Sequence, residues 1–222
     1  MEITRLSAAS WFKIKSGSKI IHFDPGYAGY FRNQRIPLVE LEEKADLILI
    51  SHFHKDHLQP EALEQITNDH TLILAPKSCA KRINNRITCI ESGNELKVGE
   101  ITIKVIEAYN TTTGHSTRKV HHKGDFVGYQ VCLDDKWIYF AGDTDCIPEM
   151  ENLGIIDITF LPIGGTFVMD IEEAIIAAQL INPHTVIPMH QSHNDQNKFK
   201  QELILKSDAE ALVLDIGDKT VL

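Results

Sequence analysis

Within six consecutive residues, His52-Phe53-His54-Lys55-Asp56-His57, this chain places four side chains of metal-binding type, directly after the apolar run Asp46–Ile50 (DLILI). A continuous apolar run with β-branched residues reads as a strand buried on both faces. Where such a strand ends, the chain leaves the sheet, and polar side chains project from a rigid edge. Imidazole is the commonest transition-metal ligand, and carboxylate adds a hard anionic donor. In a tight loop His52 and His54 can point to one ion, and Asp56 and His57 to a neighbour. One histidine here would read as an ordinary surface residue; four ligand-type residues so placed read as half of a metal site.

The same pattern recurs twice. Ala141-Gly142-Asp143-Thr144-Asp145 follows the apolar strand Trp137–Phe140, and Pro188-Met189-His190 ends another. A carboxylate at a strand end can bridge two cations roughly 3.5–4 Å apart, the spacing of two-metal hydrolases. Taken alone, GDTD is an ordinary turn and His190 a structural histidine; the histidine motif gives both weight. The 11 histidines also cluster at His115, His121 and His122, and at His190 and His193.

Around these motifs short strands and helices alternate. Strands are predicted at Ile3–Leu6, Trp11–Ile14 and Lys19–Phe23, with Ser16-Gly17-Ser18 as a hairpin connection and Asp24-Pro25-Gly26 as the turn that ends the third. Pro60 starts a helix, Thr71–Ala75 is a strand and Lys77–Ile83 a short helix. Two or three strands fall between Ile87 and Ile106, and Phe126–Leu133 and Lys136–Ala141 form a hairpin around Asp134-Asp135. Ile158–Leu161 and Thr185–Pro188 are further strands. A helix over Asp170–Leu180 has Asp170 as cap and Glu173 completing a capping box, with Asn182-Pro183 as its stop; Lys198–Leu205 is the last helix. No internal repeat is visible. The pattern predicts two mixed sheets with outer helices in a single domain, 1–222.

Bulk properties exclude several classes. No apolar run approaches the roughly 18 residues of a membrane span, and the N-terminus lacks a basic stretch followed by an apolar one, so a cytoplasmic enzyme is expected. A net charge of −9 argues against a broad grip on nucleic acid. Cys79, Cys89, Cys132 and Cys146 form no C-x-x-C pair, so zinc-ribbon and thioredoxin readings lack support.

SHFHKDH, AGDTD and PMH, in this order, resemble the metallo-β-lactamase superfamily. More narrowly, the chain looks like the small bacterial and archaeal metal-dependent hydrolases related to ascorbate-6-phosphate lactonase. Phe23-Asp24-Pro25, Leu161-Pro162-Ile163-Gly164-Gly165-Thr166 and Met169-Asp170 support this, and the resemblance covers nearly the whole chain. It implies an α/β fold, a four-layer αββα sandwich of two mixed sheets flanked by helices. It also implies that His52 and His54 bind a first metal, Asp56 and His57 a second, that Asp143 bridges, and that His190 completes the second site.

One position departs from that pattern. The resemblance calls for a histidine in an Ala-x-His segment, and here the segment reads Ala108-Tyr109-Asn110. A neutral amide oxygen is a poor zinc ligand. His121, in His121-His122-Lys123-Gly124, is the favoured replacement, with His115 and His122 as alternatives. The segment Thr111–Gly124 is long, polar and aperiodic, which reads as a functional loop or a disordered one. It carries Arg118, Lys119 and Lys123; with Arg32 and Arg35 these point to an anionic small-molecule substrate, phosphate-bearing ones included.

The implied chemistry is hydrolysis of a small ester, lactone or phosphodiester. Two divalent ions, zinc first, with manganese or iron as alternatives, lower the pKa of a bridging water, and the resulting hydroxide attacks. Asp56 serves as the catalytic residue that orients it. Asp24 holds a ligand histidine or simply ends a strand; Gly164-Gly165 admits a close approach or simply turns. The competing readings are a nuclease, an iron-dependent redox relative and a non-catalytic fold-mate.

Overall fold

The computed structural model describes residues 1–27, 36–83, 87–192 and 194–222, and divides into two compact units. Arg32, Arg35 and His193 lie outside the described residues.

The first unit, residues 1–90 and 214–222, contains β1 (Glu2–Arg5), β2 (Phe12–Ser16), β3 (Lys19–Phe23), β4 (Leu47–Leu49), α1 (Pro60–Ile66), β5 (Leu72–Pro76), β6 (Thr88–Ile90) and β14 (Lys219–Val221). Among the described residues they make a seven-stranded sheet, ordered β14-β1-β2-β3-β4-β5-β6. The links from β14 to β3 are antiparallel, and those from β3 to β6 parallel. Leu47, Ile48 and Leu49 are fully buried, as the apolar run predicted. The strand is shorter than DLILI because Asp46 turns its carboxylate to the Ile20 N–H. Helix α1 buries Ala62, Leu63 and Ile66 with Ile48, Ile50, Ile73 and Ala75.

The second unit, residues 91–213, contains β7 (Glu95–Val98), β8 (Ile101–Glu107), β9 (Val127–Leu133), β10 (Lys136–Phe140), β11 (Ile158–Pro162), α2 (Ile171–Ile181), β12 (Thr185–Met189), α3 (Gln196–Leu203) and β13 (Glu210–Ala211). Its sheet runs β13-β12-β11-β10-β9-β8-β7, antiparallel from β7 to β10 and parallel from β10 to β13. Each sheet therefore has three antiparallel links followed by three parallel ones. This is a repeat of topology that the sequence does not display.

Local chemistry explains most boundaries. Asp134 and Asp135 both adopt positive φ (52° and 61°), the left-handed pair that a two-residue hairpin loop requires. Asn182 takes the left-handed position that ends α2. The expected capping box is only half made. Asp170 accepts from the Glu173 N–H, but the Glu173 carboxylate turns away to the His115 and Cys146 N–H groups. The last helix starts two residues early, capped by Asp195, and ends before Ile204 and Leu205, which are exposed. Lys77–Ile83 is a 3₁₀ turn that stops at Lys81. Strands β13 and β14 went unpredicted; both are too short to show a pattern. Among the described residues no helix is long and apolar enough to cross a membrane.

Strand β14 is tied into its unit by charge. Lys13, 2% exposed, donates to Glu40 and Glu43, while Lys219 pairs with Glu40 at 2.7 Å. Burial raises the Glu40 carboxyl pKa, but hydrogen bonds from Lys219 and Lys13 outweigh it and hold the group below its ordinary 4.5. A carboxyl depressed in the folded state stabilises above its unfolded pKa, and that contribution is lost as pH falls through the folded value. Glu40→Gln is therefore expected to cost about 1–3 kcal/mol at pH 7. The difference from the parent chain should shrink as pH drops below about 4.5, read by urea unfolding at both pH values.

Candidate metal centre

In the first unit the metal-binding motif leaves β4 and folds back on the turn after β3. Asp24 has positive φ (44°) and is fully buried. Its carboxylate accepts from the Ser51 N–H (2.6 Å), the Ser51 hydroxyl (2.6 Å) and His57 Nδ1 (2.6 Å). Burial pushes the Asp24 carboxyl above the usual range, against the opposing pull of His57 and Ser51. The turn and the motif are stitched together further: Tyr27 N–H donates to the Lys55 carbonyl and Gln59 N–H to that of Pro25. At Gly26 any Cβ would overlap the backbone of Asp56 and His57, so only glycine permits this approach.

These contacts set the ring-nitrogen roles of His57 and His52. His57 donates from Nδ1 to Asp24, so Nε2 is its lone-pair atom, 3.9 Å from Asp56 Oδ2. The single Ser51 hydroxyl proton goes to Asp24, so the 2.9 Å contact between Ser51 Oγ and His52 Nδ1 runs from ring to hydroxyl. His52 Nε2 is then also a lone-pair atom, 3.0 Å from His54 Nδ1. Asp24, His52 and His57 lie close enough to suggest a metal cluster of their own. The Asp24 oxygens accept from three donors, so the carboxylate orients Ser51 and His57 as well as ending a strand.

In the second unit Asp143 follows β10 through Gly142, which has positive φ. Asp143 Oδ2 lies 3.3 Å from His121 Nε2 and 3.5 Å from His190 Nε2. His121 Nδ1 sits 3.0 Å from the Phe167 carbonyl, which can only accept, so Nε2 is again the lone-pair atom. His190 takes positive φ (49°) at the end of β12, and a Cβ at Gly164 would run into its carbonyl. The Gly164 side of the Gly164-Gly165 pair is therefore a close approach. Ligands around a tetrahedral zinc with bonds of about 2.0–2.1 Å lie roughly 3.3 Å apart. Within the second unit, the Asp143 oxygen and the two imidazole nitrogens, separated by 3.3 and 3.5 Å, have the spacing of ligands around one cation.

The three candidate histidines of the long loop part company. His121 is buried beside Asp143. His115 is exposed and pairs with Asp170 at the start of α2, and His122 faces solvent. Asn110 is no ligand. Its amide oxygen accepts from the Val120 and His121 N–H groups, and its nitrogen donates to Phe167 O, Ser116 Oγ and Asp145 Oδ1. The loop is pinned throughout: Thr111 N–H and Lys119 Nζ reach Asp145, and Thr117 and Arg118 N–H reach the carbonyls of Gly165 and Thr166.

This corrects the expected role of the loop cations. The Lys119 ammonium donates to Gly114 O, Ser116 Oγ and Asp145 Oδ2, all within the loop's own scaffold. Lys123 pairs with Glu149 at 2.6 Å. Arg118 remains on the surface, stacked on Phe167. Burial, Glu173 and Asp145 push the Cys146 thiol up to about 11.

The β-lactamase superfamily domain matches residues 2–190. The chain belongs to the metallo-β-lactamase superfamily. Within that superfamily it is 34% identical over 213 residues to the UPF0173 metal-dependent hydrolase of Thermococcus kodakarensis, covering 91% of this chain and 92% of the relative. Among solved structures it is similar to a proposed metal-dependent hydrolase from Parabacteroides distasonis (29% identity, TM-score 0.82, 96% and 92% coverage). It is also similar to the metallo hydrolase Igni18 of Ignicoccus hospitalis (25% identity, TM-score 0.76, 99% and 97% coverage). The fold class is accordingly the α/β metallo-β-lactamase fold, and the chain is a metal-dependent hydrolase of that superfamily.

Sequence reasoning passed over Ser51 and Asp145 and dismissed Asn110 as a failed ligand. A hydroxyl beside the first motif histidine and a second carboxylate two residues after Asp143 were the available signals. In this metallo-β-lactamase-type chain, Asp24→Asn disturbs the carboxylate that accepts from His57 Nδ1 and from the Ser51 hydroxyl, which in turn contacts His52. It is expected to weaken metal binding by about 10–100-fold, measured by competition with a chromophoric chelator, while secondary structure by circular dichroism is retained.

Proposed function

We propose that His52, His54, Asp56, His57, His121, Asp143 and His190 together hold two divalent ions and that the chain hydrolyses a small ester, lactone or phosphodiester. One observation carries this reading: three of the histidines are held by Nδ1, so that each presents Nε2 as its lone-pair atom, and one Asp143 oxygen lies between two imidazoles. Carboxylate and imidazole donors without thiolate suit zinc, and manganese or iron less directly. When bound, two ions sharing Asp143 would bring the pKa of a water between them towards neutrality and polarise the oxygen on which charge develops.

The chain's own groups supply the rest. Asp24 and the Phe167 carbonyl hold the ring orientations of His57 and His121. Asp56, with a side chain 31% exposed beside the buried His57, is placed to take and hold the proton of the attacking water. Its proximity to solvent gives that proton an exit. No protein nucleophile is needed. Anionic substrate remains part of the reading, now resting on Arg118, because Lys119 and Lys123 are committed elsewhere. A net charge of −9 weighs against nucleic acid as substrate.

Metal analysis is expected to give two equivalents of zinc per chain. His52→Ala and His190→Ala should each fall to about one, with kcat/KM on the best substrate of a lactone and phosphodiester panel lowered more than about 100-fold. Arg118→Ala should raise KM for an anionic substrate with kcat unchanged. Full activity of His52→Ala would sink the two-metal reading, and an unchanged KM in Arg118→Ala the anionic one.

A further inference from the structure

We propose that Asn110 is a positioning residue for the His121 side of the metal centre, holding both the backbone and the ring of that histidine through one amide. The inference rests on the reading of His121 as a ligand. The Asn110 amide is saturated. Its oxygen accepts from Val120 N–H (3.0 Å) and His121 N–H (2.9 Å). Its two N–H groups are distributed over three acceptors, Phe167 O (2.9 Å), Ser116 Oγ (3.1 Å) and Asp145 Oδ1 (3.2 Å), one of them shared. The orientation of the amide is decided by chemistry, since the backbone N–H groups only donate and the Phe167 carbonyl only accepts. The Asn110 backbone adds a bond from its own N–H to the His121 carbonyl.

Two features make this more than a well-bonded loop. The Phe167 carbonyl that accepts from Asn110 Nδ2 is the same carbonyl that lies 3.0 Å from His121 Nδ1. Asn110 therefore holds in place the very acceptor that sets which nitrogen of His121 carries the lone pair. Asp145, the third partner, is fully buried and stands two residues after Asp143 in the same turn. It also takes Thr111 N–H and Lys119 Nζ, and any Cβ at Gly114 would overlap its carboxylate. One amide thus couples His121, the carbonyl that orients it and the turn that carries Asp143. Asn is required rather than Asp: a carboxylate would turn a lone pair towards both the Phe167 carbonyl and Asp145. Nothing smaller spans all five partners.

The test uses the full chain loaded with Co(II), read by metal stoichiometry, visible absorption and thermal unfolding, beside Asn110→Ala, Asn110→Asp and His121→Ala. His121→Ala is expected to lose tight binding of one ion. Asn110→Ala and Asn110→Asp are expected to keep a cooperative thermal transition, bind one ion as the parent does, and bind the other at least tenfold more weakly with an altered Co(II) spectrum. Asn110→Asp retains an acceptor for the His121 N–H, so it isolates the loss of the amide donors. Wild-type affinity and spectrum for both ions in the folded Asn110 variants would overturn the positioning role alone. Both ions retained in His121→Ala would instead overturn the ligand reading on which it rests. Failure of both Asn110 variants to fold would make Asn110 a residue of loop stability and overturn the proposal equally.

Discussion

Burying a carboxylate without partners costs several kcal/mol, so a fully buried aspartate has to be surrounded by donors. Asp24 meets that demand with three, and all three come from the segment that follows β4. The electrostatic need of one residue on β3's turn therefore dictates the path of the chain leaving β4. It also dictates ring chemistry. His57 must give its Nδ1 proton to Asp24, and the serine that satisfies Asp24 must then be satisfied by His52. The close pass at Gly26 follows from the same constraint, since the turn must lie against the motif backbone for the carboxylate to reach Ser51 and His57.

The second unit meets an equivalent problem at the equivalent place. In each sheet one strand marks the change from antiparallel to parallel pairing, β3 in one and β10 in the other. Each of those strands is followed by an aspartate in a turn with positive φ, at Asp24 itself and at Gly142 before Asp143. Parallel strands present their carboxyl ends together, and ligand-binding groups gather there. The two aspartates differ in what surrounds them. Asp24 is enclosed by protein donors and orients Ser51 and His57; Asp143 lies between the Nε2 atoms of two histidines. In the second unit the Phe167 carbonyl accepts from Asn110 and contacts His121 Nδ1, and Asn110 also reaches Asp145.

That division explains what could be read from residues alone. Strand-ending ligand motifs were legible because they combine two strong local signals, a buried apolar run and several metal-type side chains in a tight space. Helix α2 was legible from Asp170 and its apolar face, yet the fate of Glu173 was not, because its partners, His115 and Cys146, are backbone groups distant in sequence. The reading of Asn110 as a poor ligand agrees with its hydrogen-bonded amide, but its partners were hidden for the same reason, since several are backbone carbonyl and N–H groups, which carry no sequence signature. The topological repeat was hidden because it constrains pairing direction, not residue identity.

The long loop shows how polar composition misleads in both directions. Thr111–Gly124 has no apolar periodicity, and its cations read as groups waiting for an anion. In place, one of them, Lys119, serves the loop's own scaffold. The Lys119 ammonium replaces packing by donating to a backbone carbonyl, a hydroxyl and the buried Asp145. Such a network is strong only if every member is satisfied, and one missing partner leaves a buried charge exposed to its full desolvation cost. A histidine mounted on such a loop can be held as firmly as one on a strand: His121 is buried, with its backbone N–H on Asn110 and its Nδ1 against the Phe167 carbonyl.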